Sequence, residues 1–132
     1  MGGEADLARG VMTSKVVTVG PDEPVEAAIL AMLDHDIGAV VVARDGEPLG
    51  LFTERDVTRR VLDGEDLLHR PVSEVMSAPA VTVAADTEVV EIFKLMNDRR
   101  IRRLPIVEGG RLVGIVTERD LLRWVDAVAH EG

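Results

Sequence analysis

Gly50-Leu51-Phe52-Thr53-Glu54-Arg55-Asp56 recurs at an offset of 64 residues (114 minus 50) as Gly114-Ile115-Val116-Thr117-Glu118-Arg119-Asp120. In each copy an apolar strand candidate leads into Thr-Glu-Arg-Asp and then into a helix-like stretch, which is Val57 to Leu62 or Leu121 to Val128. The sequence therefore predicts, twice, a strand-to-helix junction that carries a hydroxyl and a carboxylate three residues apart.

The repeat extends over most of the chain at the same offset and without gaps. The matches include Val11-Met12 with Val75-Met76, Val17-Thr18-Val19 with Val81-Thr82-Val83, Val25 with Val89, Met32 with Met96, and Ile37 with Ile101. Self-similarity of this extent indicates the duplication of one structural unit. We expect residues 1–66 to hold an N-terminal segment and the first repeat, and residues 67–132 to hold a connector and the second repeat.

Each repeat has the pattern strand, helix, strand, hairpin turn, strand, helix, as judged from β-branched runs, helical spacing of apolar residues and turn residues. The first repeat predicts a strand over Val16–Val19, a helix capped by Asp22 from Val25 to near His35, and strands over Ala39–Ala43 and Leu49–Phe52. The second predicts strands over Ala80–Val83, Leu104–Val107 and Leu112–Val116 and a helix over Val89–Met96. Residues 63–74 form a polar connector.

A crossover helix followed by a hairpin builds a small mixed sheet in each repeat. One repeat alone would be marginally stable, because a domain of roughly 60 residues buries only about 60% of the surface that its unfolded chain exposes. We therefore predict an α/β (α+β) fold in which two β-α-β-β-α units pack sheet to sheet about a pseudo-two-fold axis. Ligands are expected in the crevices between the units.

Composition excludes several classes of protein. Apolar residues make up 46% and charged residues 30% of the chain, which is typical of a globular protein. No apolar run approaches the ~20 residues of a membrane helix and no signal peptide is evident, so we expect a cytoplasmic protein with no membrane partner. There is no cysteine, and His35, His69 and His130 have no ligand spacing, so we expect no metal site.

The net charge of −9 is distributed unevenly. Residues 1–66 hold six Lys/Arg and 14 Asp/Glu, a net charge of −8, whereas residues 67–132 hold nine and ten, a net charge of −1. Nucleic acid is not an expected partner, because binding it requires a basic surface. A small anion should prefer the second half of the chain.

The Thr-x-x-Asp motif has a structural explanation that needs no ligand. Thr53 and Thr117 can accept hydrogen bonds from first-turn N–H groups, and Asp56 and Asp120 can accept in return from the cap residues, as in a capping box. A motif this short decides little when it is isolated. This structural explanation stays open beside a functional one.

The whole pattern resembles the cystathionine-β-synthase (CBS) domain. Each unit has a Met near its start, a Val-Thr-Val strand and a Gly-apolar-apolar-Thr-x-x-Asp ending, and the resemblance covers about residues 7–126 as a tandem pair, or Bateman module. It implies a regulatory sensor without a catalytic cofactor. Such a sensor binds adenosine-containing ligands, namely AMP, ADP, ATP, S-adenosylmethionine or NADH, between the repeats.

The resemblance also implies which residues hold the ligand. Asp56 and Asp120 would accept charge-assisted hydrogen bonds from the ribose hydroxyls, with Thr53 and Thr117 beside them at the ribose or phosphate. The other implied positions are Arg102, Arg103, Leu104, Pro105, Ala39, Lys15, Val17 and Val81.

The two implied sites differ in their positive charge. Arg102 and Arg103 lie past the predicted helix and would meet phosphate, whereas Gly38 and Ala39 occupy the same positions of the first repeat. The two sites are therefore expected to be unequal.

Nothing in the sequence indicates an enzyme, since it has no His paired with an acid at useful spacing, no nucleophile elbow and no Gly-rich phosphate loop. We expect a stand-alone module that reports energy or metabolite status to an effector protein. We also expect a homodimer, in which Trp124 either anchors the interface or is buried within one chain. The alternative is a structural or protein-interaction dimer whose Thr-x-x-Asp boxes only cap helices.

Overall fold

The computed structural model describes residues 3–62 and 66–131, so residues 63–65 of the predicted connector lie outside the described residues. In chain order the α-helices of the described ranges are α1 (Ala8–Val11), α2 (Val25–His35), α3 (Glu54–Arg60), α4 (Val89–Arg99) and α5 (Glu118–Ala129). The strands are β1 (Thr18–Val19), β2 (Ala39–Arg44), β3 (Glu47–Thr53), β4 (Val83–Ala84), β5 (Arg103–Glu108) and β6 (Arg111–Thr117). None of the described helices is both long enough and apolar enough to cross a bilayer.

Each repeat contributes one three-stranded sheet. β2 is central in the first sheet, where it pairs parallel with β1 and antiparallel with β3. β5 is central in the second sheet, where it pairs parallel with β4 and antiparallel with β6. The predicted mixed fold of two β-α-β-β-α repeats is thereby confirmed.

The chain folds into two units whose boundaries differ from the sequence halves 1–66 and 67–132. Residues 17–81 form one unit, and residues 1–16 together with residues 82–132 form the other. The segment that precedes each repeat in sequence therefore belongs to the unit of the other repeat. We refer to these units as the first unit (17–81) and the second unit (1–16 and 82–132).

Two predictions for the start of the first repeat are wrong. The strand expected over Val16–Val19 is only Thr18–Val19, the two residues that pair with β2. Asp22 does not cap α2, because that helix begins at Val25 and the cap position belongs to Pro24, which makes no side-chain capping bond. Asp22 instead lies 3.5 Å from Arg44, measured between its Oδ2 and Nη2.

The first strand of the second sheet also differs from the prediction of Ala80–Val83. It covers Val83–Ala84, and its ladder begins at Val83 opposite Ile106. The first sheet begins one position earlier in the repeat, with Thr18 opposite Val41. Pro105 occupies the position equivalent to Val41 and has no N–H to donate, so the parallel ladder starts later.

The interior of each unit is aliphatic. Val25, Val40 and Phe52 join α2, β2 and β3 of the first unit, and each is at most 1% exposed. In the second unit Ile92 of α4 and Ile106 of β5 are fully buried. Burial of a side chain of this size contributes about 1.5–3 kcal/mol, so each sheet is held by the helix that crosses it.

The glycine that opens each heptapeptide permits a close approach between two segments. A Cβ on Gly50 of β3 would lie 2.7 Å from Met76 Sδ and 2.7 Å from the carbonyl oxygen of Ser77. A Cβ on Gly114 of β6 would lie 3.1 Å from the carbonyl oxygen of Thr13. These segments are held against the strands by bridges, Leu51 with Ser77 in the first unit and Ile115 with Thr13 in the second.

This close approach predicts a cost for the smallest possible substitution. Gly50→Ala should lower the free energy of unfolding by about 1–3 kcal/mol, because the new methyl group overlaps a backbone oxygen that cannot rotate away. Gly20→Ala is the matched control, since its Cβ would make only ordinary contacts with the Glu23 side chain, 3.5 Å from Oε2 and 3.9 Å from Cγ. Urea denaturation of both variants measures the difference, and equal stabilities would contradict the packing role of Gly50.

Candidate functional site

Two buried carboxylates lie at the strand-to-helix junctions. Asp56 is 6% exposed and Asp120 is 4% exposed, and within residues 3–62 and 66–131 they are the buried polar or charged residues. Burying a charge is costly unless hydrogen-bond donors compensate for the lost water. The donors around each carboxylate therefore define the site.

At the first junction Thr53 and Asp56 form a complete capping box. The Thr53 N–H donates to Asp56 Oδ2 at 2.9 Å, and the Asp56 N–H donates to Thr53 Oγ1 at 3.3 Å. The Thr53 hydroxyl donates to the same Oδ2 at 3.1 Å. The other oxygen, Oδ1, accepts one hydrogen bond, from the Ser77 hydroxyl at 3.3 Å.

The second junction repeats this geometry and adds a charged donor. The Thr117 N–H and hydroxyl donate to Asp120 Oδ2 at 2.8 and 3.1 Å, and the Asp120 N–H donates to Thr117 Oγ1 at 3.4 Å. Asp120 Oδ1 accepts from the Thr13 hydroxyl at 3.2 Å and from Arg123 Nη1 at 3.0 Å. The predicted capping boxes are confirmed at both junctions.

Sequence reasoning missed the hydroxyls of Thr13 and Ser77. They are equivalent at the repeat offset, and each follows a Val-Met pair, Val11-Met12 or Val75-Met76. A hydroxyl residue at the same place in both copies was the available signal. Its meaning was hidden because the carboxylate it contacts is far away in sequence, 107 residues from Thr13.

Strand pairing brings one of the predicted arginines to the second junction. Arg103 is half-buried and lies directly opposite Thr117 in the β5–β6 register. Arg102 is exposed and precedes β5, because α4 ends at Arg99 and Arg100 adopts a left-handed conformation with φ of 55°.

The same place in the first unit carries no side-chain charge. Ala39 lies directly opposite Thr53 in the β2–β3 register, as Arg103 lies opposite Thr117. The two junctions therefore share one backbone arrangement and differ in the side chain across the strand pair.

The remaining predicted positions lie in different environments. Leu104 and Pro105 are buried, and Leu104 is fully enclosed. Lys15 is exposed and Val81 is half-buried, both outside helices and strands, and the Val17 carbonyl accepts from the Val41 N–H at 3.1 Å. In the described part of the chain, no hydrogen bond or ion pair joins these side chains to the carboxylate of their own unit.

Comparison with known families decides what this arrangement belongs to. The sequence profile of the CBS domain family matches residues 8–63 and 72–127, so each match contains one capping box. The chain belongs to the CBS domain family. CBS pairs are regulatory modules, and proteins built from them alone are generally not catalytic.

Two relatives match most of this chain. The chain is 42% identical over 111 residues to the uncharacterized protein MK0525 of Methanopyrus kandleri. This match covers 82% of this chain and 57% of that protein. It is 39% identical over 114 residues to the CBS domain-containing protein YhcV of Bacillus subtilis. That match covers 86% of this chain and 81% of the relative. The chain thus spans little more than half the length of the first relative.

A solved CBS domain pair has the same fold. The pair of protein MJ0100, crystallised with 5′-methylthioadenosine and S-adenosyl-L-methionine, superposes with a TM-score of 0.82. The two chains are 21% identical, and the superposition covers 92% of this chain and 97% of that one. At this identity the likeness establishes the fold alone.

Trp124 ties the N-terminal segment of the CBS pair to α5. Its indole N–H donates to Asp6 Oδ1 at 3.1 Å, and its ring centroid lies 5.7 Å from that of Phe93. The hydrogen bond from Trp124 lowers the pKa of the Asp6 carboxyl. Trp124 is half-buried, so of its two predicted roles the structure shows the contact within one chain.

Proposed function

We propose that this CBS pair is a non-catalytic sensor of adenosine-containing ligands. AMP, ADP and ATP are the first candidates, and S-adenosylmethionine and NADH are further ones. The observation that carries the proposal is the buried carboxylate built twice at a strand-to-helix junction, beside hydroxyl donors. The two adenosyl compounds in the MJ0100 crystal structure support this ligand class. The occupied state is read by an effector protein.

The Asp56 carboxylate can accept a hydrogen bond from a ribose hydroxyl. An ionised carboxylate has about four acceptor directions, and its hydrogen bonds are about twice as strong as neutral ones. Asp56 accepts three hydrogen bonds, two from Thr53 and one from Ser77. One acceptor direction on its Oδ1 is left for a ligand hydroxyl.

The second unit suits a phosphate better than the first does. Within the described ranges, Arg99, Arg100, Arg102 and Arg103 form no ion pair. Counted from the sequence, the second unit holds ten Lys/Arg and 11 Asp/Glu, and the first holds five and 13. We infer that a phosphorylated ligand favours the site of Asp120, because the first unit repels anions.

We also propose a homodimer that covers apolar grooves between helices. The groove between α4 and α5 measures about 500 Å³, and the equivalent groove between α2 and α3 about 290 Å³. Leu122 and Leu33 line these grooves and are 66% and 72% exposed. Exposed apolar surface of this kind marks an interaction site.

One observation favours a second candidate, a structural or interaction dimer without a ligand. Both capping boxes are complete, so helix capping by itself accounts for Thr53, Asp56, Thr117 and Asp120. The two candidates differ in whether nucleotide raises the melting temperature. A ligand at about 100 times its Kd stabilises the folded state by about 2.7 kcal/mol.

Asp120→Ala separates the two candidates. If Asp120 holds the ribose, the substitution weakens AMP binding by about 1.5–3 kcal/mol, the range for a hydrogen bond to a charged group. Glu118→Ala, which removes an exposed acid from the same helical turn, should leave affinity unchanged. Calorimetry measures both. A melting temperature that falls without any loss of affinity would support capping alone.

The arginine pair tests the phosphate assignment. Replacing Arg102 and Arg103 by Ala should reduce affinity for ATP more than for adenosine, because adenosine has no phosphate to pair with them. The difference should shrink at high salt. Replacing Arg99 and Arg100 by Ala removes the same charge from the helix end and serves as the control. Equal losses for ATP and adenosine would contradict the assignment.

Sedimentation equilibrium tests the dimer. The wild-type protein should sediment at twice its mass of 14.3 kDa. Leu33→Glu combined with Leu122→Glu should give monomers, since it places charge in both grooves. Leu62→Glu is the control, because Leu62 is 92% exposed and lies outside the grooves. A wild-type monomer at micromolar concentration is the contrary result.

A further inference from the structure

The two carboxylate sites differ in one charged donor. Arg59 and Arg123 are equivalent at the repeat offset, and each lies three residues after its aspartate. Arg123 pairs with Asp120 at 3.0 Å. In the described ranges Arg59 makes no hydrogen bond or ion pair, and Asp56 Oδ1 accepts only from Ser77. The three-residue spacing between Asp and Arg is the same in both repeats, but within the described ranges the ion pair forms only in the second.

This extra donor fills the acceptor capacity of Asp120. Its two oxygens accept four hydrogen bonds, two from Thr117, one from Thr13 and one from Arg123. An ionised carboxylate offers about four acceptor directions. A ligand hydroxyl can therefore bind this carboxylate only if one of the present donors leaves.

Arg123 is the donor that leaves most easily. Thr117 is part of the helix cap, and Thr13 is held by two backbone hydrogen bonds with Ile115, at 2.8 and 2.9 Å. The Arg123 side chain is 68% exposed, and releasing it breaks no backbone pairing. Because the Arg123 guanidinium is exposed, water can replace Asp120 as its partner, while Thr13 and Thr117 remain as donors to the buried carboxylate.

We propose that Arg123 is an intramolecular competitor for ligand at Asp120 Oδ1. It occupies the position that a ribose hydroxyl would take, and ligand binding at this carboxylate requires the Arg123–Asp120 ion pair to open. The inference rests on the proposed sensor function and adds a specificity-determining residue to it. The Asp56 carboxylate has no such competitor, so a ligand that offers only hydroxyls can bind there without opening an ion pair.

Adenosine is the probe, because it presents the two hydroxyls without a phosphate. Calorimetry in an Asp56→Asn background, which removes the other carboxylate charge, compares Arg123 with Arg123→Met. Methionine keeps an apolar stem and has no guanidinium. We expect Arg123→Met to bind adenosine at least about twofold more tightly, because no ion pair has to open before the ligand binds; twofold lies within the range of exposed ion pairs, and this pair has one buried partner. The gain should shrink at high salt, where the pair is already screened.

Arg59→Met in the same background is the matched control and should leave adenosine affinity unchanged. Arg123→Gln is measured in parallel, and circular dichroism establishes that each variant is folded. Unchanged or weaker adenosine binding by Arg123→Met overturns the competition, while the sensor proposal stands if the wild type binds AMP or ATP. If the wild type and every variant fail to bind adenosine, AMP, ADP, ATP, S-adenosylmethionine and NADH, both proposals are overturned.

Discussion

Asp56 and Asp120 are buried in the fold, and a buried carboxylate left without donors costs several kcal/mol. The strand that precedes each aspartate must therefore end at a threonine whose N–H and hydroxyl turn toward it, and a helix must begin there. A segment distant in sequence also supplies a donor, since the hydroxyl of Ser77 donates to Oδ1 of Asp56 and the hydroxyl of Thr13 donates to Oδ1 of Asp120. The neighbouring glycine of β3 or β6 has no side chain, because that segment lies against the strand.

Duplication has kept this arrangement and changed the side chains around it. Pro105 stands where the first repeat has Val41, and it delays the parallel ladder of the second sheet. Ala39 corresponds to Arg103, which adds positive charge opposite Thr117. The strand registers are nearly the same in both units, and the ladder hydrogen bond that Pro105 cannot make lies at the end of the parallel ladder. Two copies of one scaffold thus offer different chemistry.

A regulatory module needs its ligand to exchange, and exchange is easiest when the bound and free states differ by few interactions. The capping hydrogen bonds are part of the fold and remain in either state. The Arg123–Asp120 contact is different, because the exposed guanidinium can turn to water while Thr13 and Thr117 remain as donors to the buried carboxylate. A CBS pair can in this way keep a rigid site and still carry a contact that responds to ligand.

The sequence by itself determined the order of the elements, the end of α2 at His35 and both capping boxes, because each depends on residues a few positions apart. Only the tertiary structure decided that Thr13 meets Asp120 across 107 residues, since periodicity carries no information on such contacts. It also decided that Arg123 pairs with its aspartate while Arg59 does not, although both have the same spacing. Local hydrogen bonds such as those of the capping boxes depend on residues close together in the chain. Which donors bond a buried carboxylate oxygen depends on side chains that the tertiary structure brings to it.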